Sequence, residues 1–591
     1  MKNPLRNMMQ QIIKGWLIAM STIILATNCK QEPAVDPDEK PKEIAAKVAG
    51  NLAQRLERNF SRLETGRYLP DTLYDIPNRH YHEEVWPGDL PGRLILSQTL
   101  LQSVSGRQAK YLKTLIEDLP NHFNEKGYMG KIYKDVISEQ QLSGHGWLLR
   151  GLCEYYLMTN DPIILGYLKT MATNLILPTA GYHKDYPIDP ALRKEAGGFM
   201  GTQEKMMNGW LLSSDVGCDF IFMDGVIQTY SILKTPELKA VCYEMADRFL
   251  EADLYNIKAQ THATLTALRG LIRLYELTGE QRFIDGAVER YDLYRMEGMT
   301  ENYENFNWFQ RPEWTEPCAI VDSYQVSLDL WKQTGQTRYL EDAQLIWYNA
   351  ISYAQRDNGG FGLSNCTGPV SHLETKAYEA HWCCTMRGSE GIAERTRSLY
   401  FNQGDAVIVA DFQNSEIRSE LSSGTLSIKV KTDYPFDEIV ELAIKGSTLK
   451  KDATIKIFLP SWIENIHLTK GGKVWEAKQD GGYLLFTETF ETGDTYHLSF
   501  NQRLGKVKPH GNNTPEGQYK IHYGPLVLGI EKHAEEVNLP KGFKINKIRP
   551  GEFEIENTDL ILRPVYHLMD SIVNPGNGYR SQILFSSIKQ L

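Results

Sequence analysis

A helix that ends at a Thr/Ser-Gly-like turn recurs along this 591-residue chain as far as Tyr400. A glycine in such a turn ends a helix in the left-handed conformation. Repeated helical hairpins predict either an open solenoid or a closed toroid of six hairpins. We favour closure because residues of functional type lie at the helix starts and in the loops between hairpins, which closure would gather at one mouth. The turns are Ser105-Gly106, Thr159-Asn160, Lys234-Thr235-Pro236, Thr278-Gly279 and Thr334-Gly335.

After Tyr400 the apolar period changes from that of a helix to that of a strand, because Leu426, Ile428 and Val430 alternate with polar residues. The fold class predicted is therefore a multidomain α+β chain, in which an (α/α)6 helical barrel precedes one or two C-terminal β-sandwich domains. We expect the barrel over residues 44–402 and the β part over residues 403–591. Further strands are expected at residues 455–459, 483–486, 496–500 and 523–530.

The N-terminus has the pattern of an export signal, since basic residues precede an apolar run at residues 16–26 that is short for a membrane span. Cys29 follows in a sequence that resembles a bacterial lipobox, although Asn28 replaces the usual small residue. We expect residues 1–28 to be a lipoprotein signal peptide, Cys29 to carry the lipid anchor and residues 29–43 to be a flexible tether. The expected location is the bacterial cell envelope, in the periplasm or at the surface.

The charge of the chain argues against a nucleic-acid partner. The net charge is -10, and no basic patch stands out among the 74 acidic residues. The 31 tyrosines and 11 tryptophans suit either a packed core or the stacking of sugar rings in a cleft. A membrane contact is expected only through the lipid anchor, and the sequence leaves the oligomeric state open.

The residues most suggestive of chemistry are Glu316, Cys318 and the adjacent pair Cys383 and Cys384. Adjacent cysteines are poor disulfide partners, because consecutive Cα atoms lie about 3.8 Å apart and an unstrained disulfide needs roughly 4.4 to 6.8 Å. Three thiolates and a carboxylate are a ligand set for Zn2+. The spacing is shorter than in common zinc sites, so these cysteines can also be read as small buried apolar residues.

With these residues in view, the chain resembles the β-L-arabinofuranosidase family, glycoside hydrolase family 127, over nearly its whole mature length. In that family a Glu-x-Cys and a later Cys-Cys bind zinc, and the first cysteine of the pair is the nucleophile of a retaining glycosidase. The resemblance implies that Glu316, Cys318, Cys383 and Cys384 are the zinc ligands, with Cys383 as the nucleophile. Phrases at residues 433–436, 459–462 and 524–527 also resemble the family. Residues 385–388 depart from the family's Pro-Pro-Asn, which bears on sugar specificity.

The resemblance also implies an acid/base glutamate and two sugar-binding histidines. The nearest match to the family's Gly-Glu-Ala-Phe places the acid/base at Glu304, with Glu301 and Glu313 as rivals. The histidines that face sugar hydroxyls correspond to His145 and His262. From the residues alone, a histidine near a helix start is more often a cap or a core residue.

Aromatic residues flank these motifs and either form the wall of a sugar site or pack the mouth of the barrel. They are Trp308, Phe309, Trp314 and Trp382.

The function predicted is an exported, zinc-dependent, retaining glycoside hydrolase that releases terminal β-linked L-arabinofuranose or a related sugar from plant-type oligo- or polysaccharides. One alternative is a metal-free hydrolase or lyase built on the same barrel. Another is a glycan-binding lipoprotein whose zinc is structural. Zinc content and the effect of a Cys383 substitution on turnover separate the three.

Overall fold

The protein is described by a computed structural model covering residues 40–73, 86–193, 203–531, 535–566 and 579–586. The predicted signal peptide and Cys29 lie outside the described residues, so both stay predictions. Within the described ranges, none of the helices combines the length and the apolar character needed to cross a membrane.

Helices dominate the chain up to residue 397, and twelve of those that the structure describes form two layers. They are α1 (Gly50–Arg62), α2 (Asp89–Ser105), α3 (Leu112–Asp118), α4 (Glu139–Thr159), α5 (Pro162–Met171), α6 (Cys218–Leu233), α7 (Pro236–Glu251), α8 (Thr261–Thr278), α9 (Gln281–Glu297), α10 (Pro317–Thr334), α11 (Arg338–Ile346) and α12 (Cys384–Arg397).

The even-numbered helices form a closed inner ring. Each packs against the next from α2 to α12, and α12 packs back against α2. Each odd-numbered helix packs on the outside of an inner one, and α1 lies on α12. The sequence explains the two layers. Helix α10 is buried without interruption from Pro317 to Leu328, whereas α7 buries a single stripe that includes Leu238, Val241 and Met245. The predicted (α/α)6 barrel is confirmed.

The repeated turns end inner helices in the left-handed conformation, as expected. Gly106, Asn160, Lys234, Gly279 and Gly335 cap α2, α4, α6, α8 and α10 with φ angles of 70°, 54°, 55°, 71° and 69°. Each turn leads directly to an outer helix that runs back along the barrel. The inner helices are therefore parallel, and their N-termini gather at one mouth.

The strands of the β part, with a few from the barrel loops and the N-terminus, are short and numerous. They are β1 (Lys42–Glu43), β2 (Ala46–Val48), β3 (Ile137–Ser138), β4 (Gln203–Met207), β5 (Trp210–Ser213), β6 (Leu363–Ser364), β7 (His372–Ala377), β8 (Tyr400–Gln403), β9 (Ala406–Val409), β10 (Ser415–Leu421), β11 (Gly424–Thr432), β12 (Ile439–Ser447), β13 (Ala453–Phe458), β14 (Ile463–Lys470), β15 (Lys473–Val474), β16 (Lys478–Asp480), β17 (Tyr483–Glu488), β18 (Thr495–Gln502), β19 (Leu504–Val507), β20 (Gln518–Tyr523), β21 (Leu526–Glu531), β22 (Ile545–Arg549), β23 (Glu552–Ile555), β24 (Ile561–Pro564), β25 (Arg580–Gln582) and β26 (Phe585–Ser586).

Two sheets make up the first sandwich. One has the order β1-β8-β9-β13-β17-β16 and the other β15-β14-β18-β12-β11-β10-β2. Alternating burial along β10 and β11 gives each strand one core face and one solvent face. The two N-terminal strands, β1 and β2, each join one of these sheets. The sandwich is therefore built from residues that precede the barrel in the chain as well as from residues that follow it.

A third sheet connects the C-terminal part to the barrel. Its order is β22-β23-β24-β21-β25-β7-β6, with β19, β20 and β26 attached at β20. Strands β6 and β7 come from the barrel loop between α11 and α12, and β7 pairs antiparallel with β25. The C-terminal sheet is therefore continuous with the loop that leads to Cys383.

One strand prediction is wrong. Residues 523–530 are not a single strand, because Gly524 and Pro525 form the turn between β20 and β21. Gly524 has φ 52°, and a Cβ there would lie 2.0 Å from Gln502 Oε1. Proline lacks the N–H that a central strand would need to donate. The local Gly-Pro signal therefore outweighs the apolar run on both sides of it.

Glycines set the close approach of inner helices, and Gly225 on α6 provides a test. A Cβ at Gly225 would lie 2.5 Å from the carbonyl oxygen of Gly146 on α4, which is backbone and cannot move aside. We expect Gly225→Ala to lower the free energy of unfolding by about 1–3 kcal/mol. Gly166→Ala on the outer helix α5 is the matched control, since nothing lies within 4 Å of its Cβ position. That change should be neutral or stabilise by up to about 1 kcal/mol. Equal effects of the two in urea titrations would contradict this packing.

Candidate functional site

Three thiols meet at the mouth, where α10 and α12 begin. Cys383 Sγ lies 3.3 Å from Cys384 Sγ, and Cys318 Sγ lies 4.0 Å from Cys384 Sγ. Cys384 is the first residue of α12, Cys383 precedes it, and Cys318 is the second residue of α10. Two helix N-termini therefore point at the sulfurs, and their partial positive charge favours negative ligands there.

Glu316 lies immediately before α10, where a carboxylate oxygen lies within 4.8 Å of Cys318 Sγ. Its backbone N–H donates to Asn305 Oδ1 at 2.8 Å. In the orientation that satisfies its neighbours, the amide of Asn307 donates to Glu316 and accepts from Trp314 Nε1 at 3.2 Å. The loop before α10 thus sets the direction of this carboxylate.

His262, in the first turn of α8, approaches the same group. Its Nδ1 lies 3.5 Å from Glu316 Oε1, and its Nε2 lies 3.4 Å from Asp322 Oδ2. The ring stacks on Trp147 with a centroid distance of 5.5 Å. Cys318, Cys383 and Cys384 have ligand atoms within 4.8 Å of one another, as do His262, Glu316 and Cys318.

These donors fit a metal ion. In a tetrahedron with metal–sulfur bonds of about 2.3 Å, neighbouring sulfurs lie about 3.8 Å apart, close to the observed 3.3 and 4.0 Å. The three thiols are buried and unoxidised. The group could therefore hold a metal ion, and sulfur, carboxylate and imidazole donors are those that zinc takes in proteins.

Arg93 on α2 is the nearby cation. Its Nη1 lies 3.6 Å from Cys318 Sγ, its Nε donates to Asp89 Oδ1 at 2.8 Å, and its guanidinium lies 4.0 Å from the ring centre of Trp147. Burial alone would lower the pKa of Arg93. The negative charges of Asp89 and then of Cys318 and Cys383 outweigh this effect, so the pKa is raised above its ordinary value. A permanent positive charge therefore faces the thiols.

The three thiols differ in exposure. Cys383 is 8% exposed, whereas Cys318 and Cys384 are fully buried. Burial raises the pKa values of Cys318 and Cys384 well above the ordinary thiol value. The pKa of Cys383 is also raised well above that value, chiefly by a hydrogen bond with Cys318. Cys383 is thus the thiol that a molecule at the mouth can reach, and its proton must be displaced before it reacts.

Glu304 and Glu301, three residues apart, have opposite environments. Glu304 is fully buried and accepts from Asn302 Nδ2 at 2.8 Å, and burial raises its pKa to about 7. Burial would also raise the pKa of Glu301, but Lys520 and His510 lower it to about 2. The Lys520 Nζ to Glu301 Oε2 distance is 2.8 Å, and Lys520 belongs to β20. Glu304 can hold a proton near neutral pH, and Glu301 cannot.

The other predicted residues are dispersed. Glu313 is exposed and pairs with Arg311 at 2.6 Å. His145 is fully buried, with Nδ1 donating to Gln141 O at 2.8 Å and Nε2 accepting from the Met129 N–H at 3.1 Å. Burial lowers the pKa of His145 to about 4. The protein itself occupies both ring nitrogens of His145, and its predicted sugar contact stays a prediction.

The aromatic residues divide into two groups. Trp308 and Phe309 are fully buried, and Trp308 packs edge-on against Trp314 with ring centres 5.1 Å apart. Trp314 and Trp382 are only partly buried. The first pair therefore packs the mouth, while Trp314 and Trp382 remain accessible beside Glu316 and Cys383.

Two kinds of comparison with known proteins give matches to proteins described as GH127. Residues 406–502 match the model of the β-L-arabinofuranosidase GH127 middle domain. The chain superposes on a GH127 β-L-arabinofuranosidase from Geobacillus stearothermophilus T6 with a TM-score of 0.69 at 14% identity, covering 92% of this chain and 100% of that one. A second GH127 β-arabinofuranosidase gives 0.67 at 15% identity, covering 93% and 98%. The resemblance to family GH127 is confirmed.

The match to the GH127 family model covers only part of the chain. A search of curated proteins found no match. The matched middle domain contains strands β9 to β18 of the first sandwich, and none of the predicted site residues. The structural matches extend the GH127 fold to the barrel. Together the two findings support a glycoside hydrolase, while the roles of individual residues depend on the geometry of the mouth.

Two residues of the mouth could not have been found from local sequence patterns. Arg93 and Asp322 lie inside helical repeats, in contexts that look like ordinary helix faces. Only a preceding acidic residue, Asp89, marks Arg93 as one half of an i,i+4 pair. Their contacts with Cys318 and His262 join separate hairpins, so no local pattern could have indicated them.

The buried ion pair of Glu301 gives a test of how the C-terminal sheet supports the mouth. Glu301→Ala leaves Lys520 buried without its carboxylate, so we expect a loss of about 3–5 kcal/mol in the free energy of unfolding. Glu313→Ala, which removes an exposed carboxylate, should cost about 1 kcal/mol or less. The pKa of Glu301 is depressed from 4.5 in the folded chain, so its contribution is present above pH 4.5 and is lost as the pH falls through about 2. Urea titrations at pH 7 of both variants would contradict this if the losses were equal.

Proposed function

We propose that this chain is a retaining glycoside hydrolase whose nucleophile is Cys383. The observation that carries the proposal is the meeting of three thiols and Glu316 at the mouth, with Cys383 the least buried of these thiols. Retaining glycosidases attack the anomeric carbon with one group and protonate the leaving oxygen with another. Cys383 and Glu304 supply two such groups.

We propose zinc as the metal, held by Glu316, Cys318, Cys383 and Cys384. A bound zinc ion would displace the thiol protons and make Cys383 a thiolate at neutral pH. Arg93, 3.6 Å from Cys318 Sγ, offsets part of the negative charge that three thiolates and a carboxylate bring into a buried site.

The chain's own residues account for both halves of the reaction. In the first half, Cys383 Sγ forms a bond to the anomeric carbon while the bond to the leaving oxygen breaks, and that oxygen takes the proton of Glu304. In the second half, Glu304 takes a proton from water, the water oxygen attacks the anomeric carbon, and the carbon–sulfur bond breaks. The sugar leaves with retained configuration, and Cys383 and Glu304 return to their starting states.

The substrate class proposed is a terminal β-linked L-arabinofuranoside or a related sugar of plant-type glycans. The GH127 middle domain and the names of the GH127 relatives support it. We propose that Trp314 and Trp382, which are partly exposed, contact the sugar ring. The residues that replace the family's Pro-Pro-Asn face inward: Thr385 Oγ1 donates to Glu379 at 2.9 Å, and Arg387 pairs with Asp322. This departure leaves the sugar unspecified within the class.

Substituting the nucleophile tests the proposal directly. We expect Cys383→Ser to lower kcat on an aryl β-L-arabinofuranoside by at least about 10³-fold while leaving the melting temperature nearly unchanged. Cys366→Ser is the matched control, since Cys366 is also buried but its sulfur contacts Asn305 O rather than the cluster. The wild type should contain about one zinc per chain, and Cys318→Ser with Cys384→Ser should contain none. Full activity of Cys383→Ser would overturn the assignment.

The pH dependence tests Glu304. Because Glu304 must be protonated to act as the acid and its pKa is about 7, kcat/KM should fall as the pH rises above about 7. Glu304→Gln should lose this descending limb. It should also slow substrates with poor leaving groups far more than nitrophenyl glycosides, which need little protonation. If Glu304 had a purely structural role, its substitution would slow both classes of substrate equally. Glu301→Gln is the control from the same loop, and it should keep the descending limb of the pH profile.

A further inference from the structure

The mouth offers five metal donors for a site that takes four. Cys318, Cys383, Cys384 and Glu316 are the four ligands of the proposed zinc site, yet His262 also has a ring nitrogen in the group that it forms with Glu316 and Cys318. Its Nδ1 is 3.5 Å from Glu316 Oε1, the separation expected of two donors on one ion rather than of a hydrogen bond.

The orientation of His262 is that of a metal-binding histidine. Such histidines direct the second ring nitrogen to a carboxylate, which fixes the tautomer. Here Nε2 faces Asp322 Oδ2 at 3.4 Å, and Asp322 is fully buried. Thr266 Oγ1 donates to the same Asp322 oxygen at 2.8 Å, and Arg387 pairs with the other. With Trp147 stacked on the ring, His262 is held so that Nδ1 is the free donor.

A fifth donor would be needed during the reaction, because Cys383 becomes a weaker metal ligand when its sulfur bonds to the sugar. When Cys383 Sγ bonds to the anomeric carbon, the carbon–oxygen bond breaks and the proton of Glu304 passes to the leaving oxygen. Nothing is oxidised or reduced, but the thiolate becomes a neutral thioether, which is a much weaker zinc ligand. A site with four donors would then be left with three.

We propose that His262 is an alternative metal ligand that takes the position of Cys383 when that sulfur is bound to the sugar. The inference rests on the zinc site of the proposed function. It assigns His262 to the metal, in contrast to the contact with a sugar hydroxyl that the resemblance implied. Asp322 is then a positioning residue, whose carboxylate faces Nε2 at 3.4 Å.

The test removes the sulfur of Cys383 and measures metal binding without turnover. Cys383→Ala is loaded with Co2+, whose visible absorption reports a four-coordinate site and whose near-ultraviolet absorption reports the number of bound thiolates. We expect one metal per chain, a near-ultraviolet intensity reduced by about one third for three thiolates becoming two, and visible bands that stay intense. Chelator competition should give an affinity within about tenfold of the wild type.

Removing His262 as well should then abolish the site. Cys383→Ala with His262→Ala should bind Co2+ and Zn2+ at least about 100-fold more weakly than Cys383→Ala alone. Cys383→Ala with His372→Ala is the matched control, because His372 is a buried histidine on β7 that belongs to neither donor group, and it should bind as Cys383→Ala does. Circular dichroism confirms that each variant is folded.

The outcomes separate this inference from the proposed function. Equal affinity of Cys383→Ala with and without His262 would overturn the inference, since water or another group would be filling the position. A Cys383→Ala variant that binds no metal, beside a wild type that does, would also overturn the inference. That result would not contradict the zinc site proposed for the wild type. A wild type that binds no metal would overturn the zinc site itself.

Discussion

The candidate site depends on the closure of the inner ring, which brings the first turn of α12 against the first turns of α2 and α10. The packing of α12 on α10 places Cys384 Sγ 4.0 Å from Cys318 Sγ, although the two residues are 66 positions apart in the chain. Closure against α2 then adds Arg93, whose Nη1 lies 3.6 Å from Cys318 Sγ. The parallel inner helices direct their N-termini, and hence their partial positive charge, to the same mouth. An open solenoid with the same helices would separate α2 from α12, and Arg93 would then lie far from the thiols.

Charge inside the barrel links this mouth to the core. Asp322 contacts His262 at the mouth and pairs with Arg387 and Arg269 below it. Arg269 in turn lies 2.7 Å from Glu390 Oε1. Buried ion pairs add little net stability, because desolvation offsets most of their attraction, but they impose one arrangement of the groups involved. The arrangement imposed here is the direction of the His262 ring.

The C-terminal sheet supports the mouth from outside the barrel. Lys520 on β20 pairs with Glu301, and Glu301 lies in the same loop as Glu304 and Asn305. Asn305 holds the backbone of Glu316. The sheet therefore reaches a predicted metal ligand through one ion pair and one hydrogen bond, which gives the β part a role in positioning although we assign it no chemistry.

Local sequence was enough for the helical repeat, for the change to strands after Tyr400 and for the donor types at Glu316, Cys318, Cys383 and Cys384, because each of these depends on residues close together in the chain. Tertiary structure alone decided the rest. Glu301 and Glu304 are near neighbours in one loop, yet burial raises the pKa of one and Lys520 lowers that of the other. His145 and His262 both lie on inner helices, but of the two only His262 faces two carboxylates. In each pair the difference comes from a partner far away in the sequence. A pattern of neighbouring residues therefore cannot predict it.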